Sequence, residues 1–242
     1  MAKRPIREQR NKRTTYSVES VSNQNDHRIV ATRRKKAEPL QAQTEAQGHY
    51  IHALESAELI FAIGPAGTGK TYVAATYAAE ELTSKRIERI IITRPNVEVG
   101  SGFGFLPGEL EEKYAPYLAP FREVMIERMG LSQYEYALKM EKILPQPLAF
   151  MRGATFNDCL VILDEAQNCT QAEMKMFLTR IGRNCTVVVD GDPDQCDLNV
   201  PSGLNDAVRR LEGLPGVSVV EFTEDDIVRS GLVKMVLCAY RR

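Results

Sequence analysis

The chain has little that would anchor it in a membrane or staple it together. No run of about eighteen apolar residues occurs, so no membrane-spanning helix is expected. The opening MAKRPIREQRNKRTTYSVES is basic but has no apolar centre, so it does not read as a secretory signal, and the expected location is cytoplasmic. The five cysteines (Cys159, Cys169, Cys185, Cys196 and Cys238) are odd in number and lack CxxC spacing. That makes a zinc ribbon and a disulfide framework both poor fits and leaves reduced, mostly buried thiols as the expectation. The three histidines, His27, His49 and His52, have no carboxylate or cysteine at metal-ligand spacing, so zinc chemistry is not expected.

What remains is ordinary globular material. With 43% hydrophobic and 26% charged residues over 242 positions, the chain affords one sizeable core and excludes wholesale disorder. Charge is unevenly placed. Residues 1–40 hold eleven Lys or Arg against four acids, ending in RRKKAEP, while the rest of a chain with formal net charge -1 is acidic. The opening forty residues lack apolar periodicity and read as a basic arm, suited either to sequence-independent contact with RNA or DNA phosphates or to solubilisation alone.

From about residue 41 to 242 the pattern is that of one domain in which helices and strands alternate. QTEAQGHYIHALESA has helical spacing; ELIFAIG, RIERIIITRP, NDCLVILDE, NCTVVVDGD and VSVVEF read as five strands. KTYVAATYAAEELTS, QAEMKMFLTRIG, GLNDAVRRLEG and DDIVRSGLVKMVLCAY read as helices around them. Such alternation predicts an α/β fold with a parallel sheet covered on both faces. The rhythm is interrupted over about 96–156, where the glycine-rich VGSGFGFLPGEL precedes EEKYAPYLAPFREVMIERMG and YEYALKMEKIL, expected as helices of a small projecting insertion.

Three segments carry chemistry. Gly64-Pro65-Ala66-Gly67-Thr68-Gly69-Lys70-Thr71 fits G-x-x-x-x-G-K-[ST] between an expected strand and an expected helix, the context that pattern requires. Its glycines let backbone N–H groups converge on phosphate oxygens, Lys70 reaches the outer phosphates and Thr71 offers a hydroxyl to Mg²⁺. About ninety residues on, VILDEAQ delivers Asp164 and Glu165 to a strand end, Asp164 to hold Mg²⁺ through water and Glu165 to orient or deprotonate an attacking water. VVDGD ends the next strand, and Gln195 beyond it is placed to sense the γ-phosphate and the water. An adjacent acid pair and a water-placing glutamine favour hydrolysis over a small-molecule kinase; a nucleotide switch acting on a protein partner remains the alternative.

GPAGTGKT, the TRP of Thr93 to Pro95, GFLPGEL with EKYAPYLAPF, MRGATF, ILDEAQN, MKMFLTRIG and GDPDQCDL together closely resemble the PhoH family over roughly residues 39–240. The resemblance implies an ATP- and Mg²⁺-using cytosolic ATPase with a single RecA-like core related to superfamily 1 helicases. It also implies links to RNA metabolism and a homo-oligomeric ring, commonly hexameric. On the matching positions, Gln47, with Tyr50 beside it, stands where adenine is recognised, and Arg94 and Arg152 stand at positions associated with nucleic acid. Arg180 and Arg229 are candidates for a finger reaching a neighbour's γ-phosphate. Assembly also has a physical motive, because a finger supplied in trans is worth about a thousandfold in turnover and a single core supplies only half of a closing cleft. Ala154 departs from the family's frequent MRGRTF, so whatever that arginine touches is absent here or supplied otherwise.

Overall fold

The computed structural model describes residues 39–95, 110–229 and 231. The basic arm, except positions 39 and 40, and the glycine-rich 96–109 lie outside them, as does most of the expected closing helix.

Strands β1 (Leu59–Ile63), β2 (Arg89–Thr93), β4 (Cys159–Leu163) and β5 (Cys185–Gly191) are nearly continuous apolar runs, and residues of both faces are buried. A strand apolar on both faces needs cover on both, and each face has it. Ile60, Ala62, Ile90, Ile92, Leu160, Ile162 and Val188 enter one core; Leu59, Phe61, Ile91, Val161, Leu163, Val187 and Val189 enter the other. The first core is closed by α1 (Glu45–Ser56), α2 (Lys70–Thr83), α3 (Leu110–Met129) and α4 (Leu131–Lys139). The second is closed by α5 (Gln171–Leu178) and α6 (Gly203–Leu211). On α2, Ala74, Ala75, Ala78 and Ala79 are fully buried, small side chains that let the helix lie close to its neighbours.

Two further strands, β3 (Ile143–Pro145) and β6 (Val217–Glu221), complete a six-stranded sheet of order β3-β2-β4-β5-β1-β6 in which every pairing is parallel. The expected α/β class and two-sided cover are therefore present. Among the described residues the sheet has six strands rather than the five expected, because the tail of YEYALKMEKIL is not helical. Its α4 stops at Lys139, Glu141 takes a left-handed φ of 52°, and Ile143 pairs with Ile90. The residues before Pro145 and Pro147 are disfavoured in helical geometry, and a proline is tolerated on the edge strand where it falls. Among the described residues of the expected insertion, α3 and α4 are followed by β3, and Phe121, Met125 and Met129 of α3 are buried in the first core.

Helix ends are set locally. Thr44 caps α1 by accepting from Gln47 N, and Thr170 forms a capping box with Glu173 at α5. Near the amino ends of the central strands, Cys159 and Cys185 lie opposite each other in register with their sulfurs 3.8 Å apart, as free thiols. No helix among the described residues is long and apolar enough to cross a membrane. Because all strands run one way, the segments after β1, β2, β4 and β5 meet at one edge of the sheet, the edge where ligands sit in folds of this class.

Candidate active site

The segment after β1 turns sharply into α2. Gly64 has φ 140°, and a Cβ there would meet the Phe222 carbonyl oxygen at 2.2 Å. Gly69 precedes α2 at φ 87°, and a Cβ there would meet Gln47 Nε2 at 2.8 Å. Both positions admit only glycine. No side chain caps α2, so its first N–H groups stay available to an anion at the positive end of the helix dipole. Lys70 is 7% exposed and folds back on the loop, donating to Gly64 O at 2.8 Å and Pro65 O at 2.9 Å. Thr68 Oγ1 donates to Pro65 O, Ala66 N donates to Asp192 Oδ2, and Gly67 O accepts from Val228 N.

Across the sheet edge stand the acids. Asp164 and Glu165 follow β4, Asp190 lies in β5, and Asp192 follows it. Thr71 Oγ1 donates to Asp190 Oδ2 at 3.2 Å, and Lys70 Nζ lies 4.0 Å from Asp190 Oδ1. Arg94, just past β2, donates through Nε to Asp164 Oδ2 at 2.8 Å, and its terminal nitrogen reaches the same oxygen. The other Asp164 oxygen accepts from Glu165 N. Burial raises the Asp164 carboxyl despite the adjacent Arg94. Burial and then the charge of Asp164 push Asp190 up to about 8, against the opposing pull of Lys70 and Thr71. A bound divalent cation would reverse both directions by favouring the ionised forms.

Glu165 sits in left-handed backbone, φ 57° and ψ 37°, a conformation a non-glycine residue holds only where its surroundings enforce it. Its side chain is held by Gln167, which is 1% exposed. Its Nε2 donates to Glu165 Oε2 at 2.7 Å and its Oε1 accepts from Asp192 N at 3.0 Å. Asp192 in turn accepts from Gln195 Nε2 at 2.7 Å. One amide thus ties the acid after β4 to the turn after β5.

These groups surround a single cavity of about 320 Å³ whose lining includes Lys70, Thr71, Arg94, Asp164, Glu165 and Gln195. The cavity suits a magnesium-bound nucleoside triphosphate: an open helix N-terminus, loop glycines and a lysine on one side, hard carboxylate oxygens on the other. No cluster of three or more His, Cys, Asp or Glu among the described residues could hold a metal by itself. That donor set fits Mg²⁺, which takes one or two carboxylates and draws its remaining ligands from phosphate and water.

The other expected residues are scattered. Gln47 is buried; its Nε2 donates to Thr68 O at 2.9 Å and its Oε1 accepts from Gln43 N, so in this state its amide braces the phosphate loop. Tyr50 is fully buried, edge-on to Phe222. Arg94 lies inside the cavity. Arg229 lies against its own chain's loop, where its Nε would be 2.7 Å from a Cβ at Gly67, and it lines the same cavity. Arg180 is at the opposite edge of the sheet, its carbonyl accepting from Phe156 N ahead of β4, and Arg152 is exposed beyond the cavity. Asp190, Asp192 and Gln167 were not singled out from sequence, although the VVDGD and DEAQ runs that contain them were.

Comparison with known proteins places the chain in one family. A family model described as PhoH-like protein matches residues 39–241. The chain is 49% identical over 215 residues to Protein PhoH of Escherichia coli (strain K12), covering 87% of this chain and 61% of that protein. It is 44% identical over 211 residues to a PhoH-like protein of Bacillus subtilis (strain 168), covering 86% and 66%. The chain therefore spans about three fifths to two thirds of the length of these relatives. Among solved structures, the Pif1 helicase from Candida albicans aligns at 15% identity and a TM-score of 0.37, covering 76% of this chain and 40% of that one. With its phosphate loop, its acid pair and these relatives in agreement, the chain belongs to the PhoH-like family.

Proposed function

We propose that the protein is a Mg²⁺-dependent ATPase that couples hydrolysis to the binding or remodelling of RNA or another single-stranded nucleic acid. The observation that carries the reading is the convergence of Lys70, from the loop after β1, and of Asp164 and Glu165, from the end of β4, on one cavity. Family membership supports a nucleotide-hydrolysing enzyme.

The roles follow from position. On nucleotide entry Lys70 exchanges the Gly64 and Pro65 carbonyls for phosphate oxygens, and the N–H groups of the loop and of α2 take the rest. Thr71 and Asp164 are the groups that would hold Mg²⁺, which when bound neutralises charge on the phosphate oxygens. Glu165 orients a water and accepts its proton, and Gln167 fixes the angle at which it does so. Gln195, tied to Asp192, faces the same cavity as Glu165 and is placed to register the γ-phosphate. Gln47 reaches the adenine only if its amide leaves Thr68 O.

The nucleic-acid half of the reading rests on the family and on the basic residues 1–40, and assembly into a ring rests on the incomplete cleft of one core. Arg229 faces its own loop and acts within its own subunit; Arg180, far from its own cavity, is the finger that a neighbour would receive. The test is ATP hydrolysis by wild type and Glu165→Gln, with and without single-stranded RNA and DNA, at two salt concentrations. Glu165-dependent hydrolysis stimulated by a polymer, with stimulation falling as salt rises, is the expected result. Hydrolysis indifferent to either polymer would instead favour a nucleotide switch acting on a protein.

A further inference from the structure

The cavity holds four acids, Asp164, Glu165, Asp190 and Asp192, and three cations, Lys70, Arg94 and Arg229. Their pairing is uneven. Lys70 is engaged with loop carbonyls and lies nearest Asp190; Arg229 lies against Gly67. Asp164, 6% exposed at its side chain, receives its positive charge from Arg94, which is 20% exposed. Arg94 presents two nitrogens to one oxygen of the very carboxylate that would hold the metal, and Glu165 N takes the other oxygen. Both Asp164 oxygens are thus already engaged, and the one aimed at Arg94 would have to give up its guanidinium to take a cation directly.

We infer that Arg94 is an internal stand-in for the metal: it occupies Asp164 while the site is free of nucleotide and gives it up when the nucleotide arrives with Mg²⁺. This rests on the reading of the cavity as a Mg²⁺–nucleotide site. The exchange conserves partners. A triphosphate brings more negative charge than its Mg²⁺ cancels, so Arg94 leaves one anion and finds another within the same cavity, where its planar fork fits phosphate oxygens. Mg²⁺ alone brings no new anion, so taking Asp164 would leave Arg94 without its carboxylate partner and with none supplied in exchange. Arg94 therefore couples metal entry to nucleotide entry and keeps the empty protein from loading Mg²⁺ on its own. Glycine or alanine at this position would leave a buried carboxylate beside Asp190 with no counter-charge, a site that collects divalent cations without ATP.

The experiment follows thermal unfolding of wild type, Arg94→Ala, Arg94→Lys and Asp164→Asn/Arg94→Ala against MgCl₂ alone, with NaCl matching ionic strength. Arg94→Ala should respond to Mg²⁺ at concentrations lower than wild type by about 5- to 150-fold, the span of ordinary coupling energies. Arg94→Lys should restore the wild-type response, and the double variant should lose the response altogether. Equal Mg²⁺ dependence in wild type and Arg94→Ala would overturn the inference, as would a gain that survives Asp164→Asn. If Arg94→Ala does not fold, Arg94→Gln takes its place, and the same shift is expected. A separate arm measures binding of a fluorescent ADP with Mg²⁺ and with EDTA. Failure of wild type to bind nucleotide at all would remove the proposed function, while the Mg²⁺ titration still decides the role of Arg94.

Discussion

The same strands end in two very different neighbourhoods. At their amino edge, main-chain groups largely pair with main-chain groups: Glu88 N with Asp158 O, Val187 N with Glu58 O, Asp158 N with Arg183 O, while the thiols of Cys159 and Cys185 fill the space between. At their carboxyl edge, side chains do the pairing, and nearly every partner is itself a group with work to do: Lys70, Thr71, Arg94, Gln167, Asp190, Asp192. Both edges are well packed. The amino edge holds its main-chain groups with one another, whereas the carboxyl edge has satisfied its polar groups with partners that a ligand can replace.

Mutations sharpen this contrast, and the largest effects belong to the carboxyl edge. Glu165→Gln should lower kcat about 10²- to 10⁴-fold while keeping ATP affinity, because only the proton acceptor is lost; steady-state turnover together with equilibrium binding checks both halves. Lys70→Ala should cost about 10²- to 10³-fold in kcat/KM, with ATP binding weakened as well. Gln167→Ala releases Glu165 and leaves Asp192 N unpaired in the interior. Turnover should fall up to about 10²-fold from misplacement, and denaturant unfolding should show a loss of about 1–3 kcal/mol. At the other edge, Cys185→Ala should cost stability alone, about 1 kcal/mol by chemical denaturation, with kcat unchanged. Equal damage to turnover from Cys185→Ala and Gln167→Ala would erase the distinction between the edges.

How much of this could be read in advance follows from how local each signal is. The phosphate loop is eight consecutive residues, and Asp164 and Glu165 are adjacent, so a one-dimensional pattern was enough to nominate them. Asp190 meets Thr71, 119 positions away, and Gln167 joins its near neighbour Glu165 to Asp192, 25 positions away. No spacing rule announces such pairs. The alternation of apolar runs was enough for the α/β class because a buried parallel strand must be apolar throughout. It failed at β3, where three residues between a left-handed Glu141 and two prolines form an edge strand too short for any periodicity to declare. Arg94 was legible as a noteworthy residue, but its partner Asp164, 70 positions on, appears only in the folded chain.

One last consequence follows from the order of the strands. β5 stands between β1, which feeds the phosphate loop, and β4, which carries Glu165. The strand ends that launch the phosphate loop and the acid pair are therefore held two strand spacings apart, roughly 9–10 Å, by a ruler made of main-chain hydrogen bonds. Side chains on either face of β5 can vary in size without altering that ruler. A slip of its register by a single residue would move Asp190 to the wrong face and turn the gauge itself out of true.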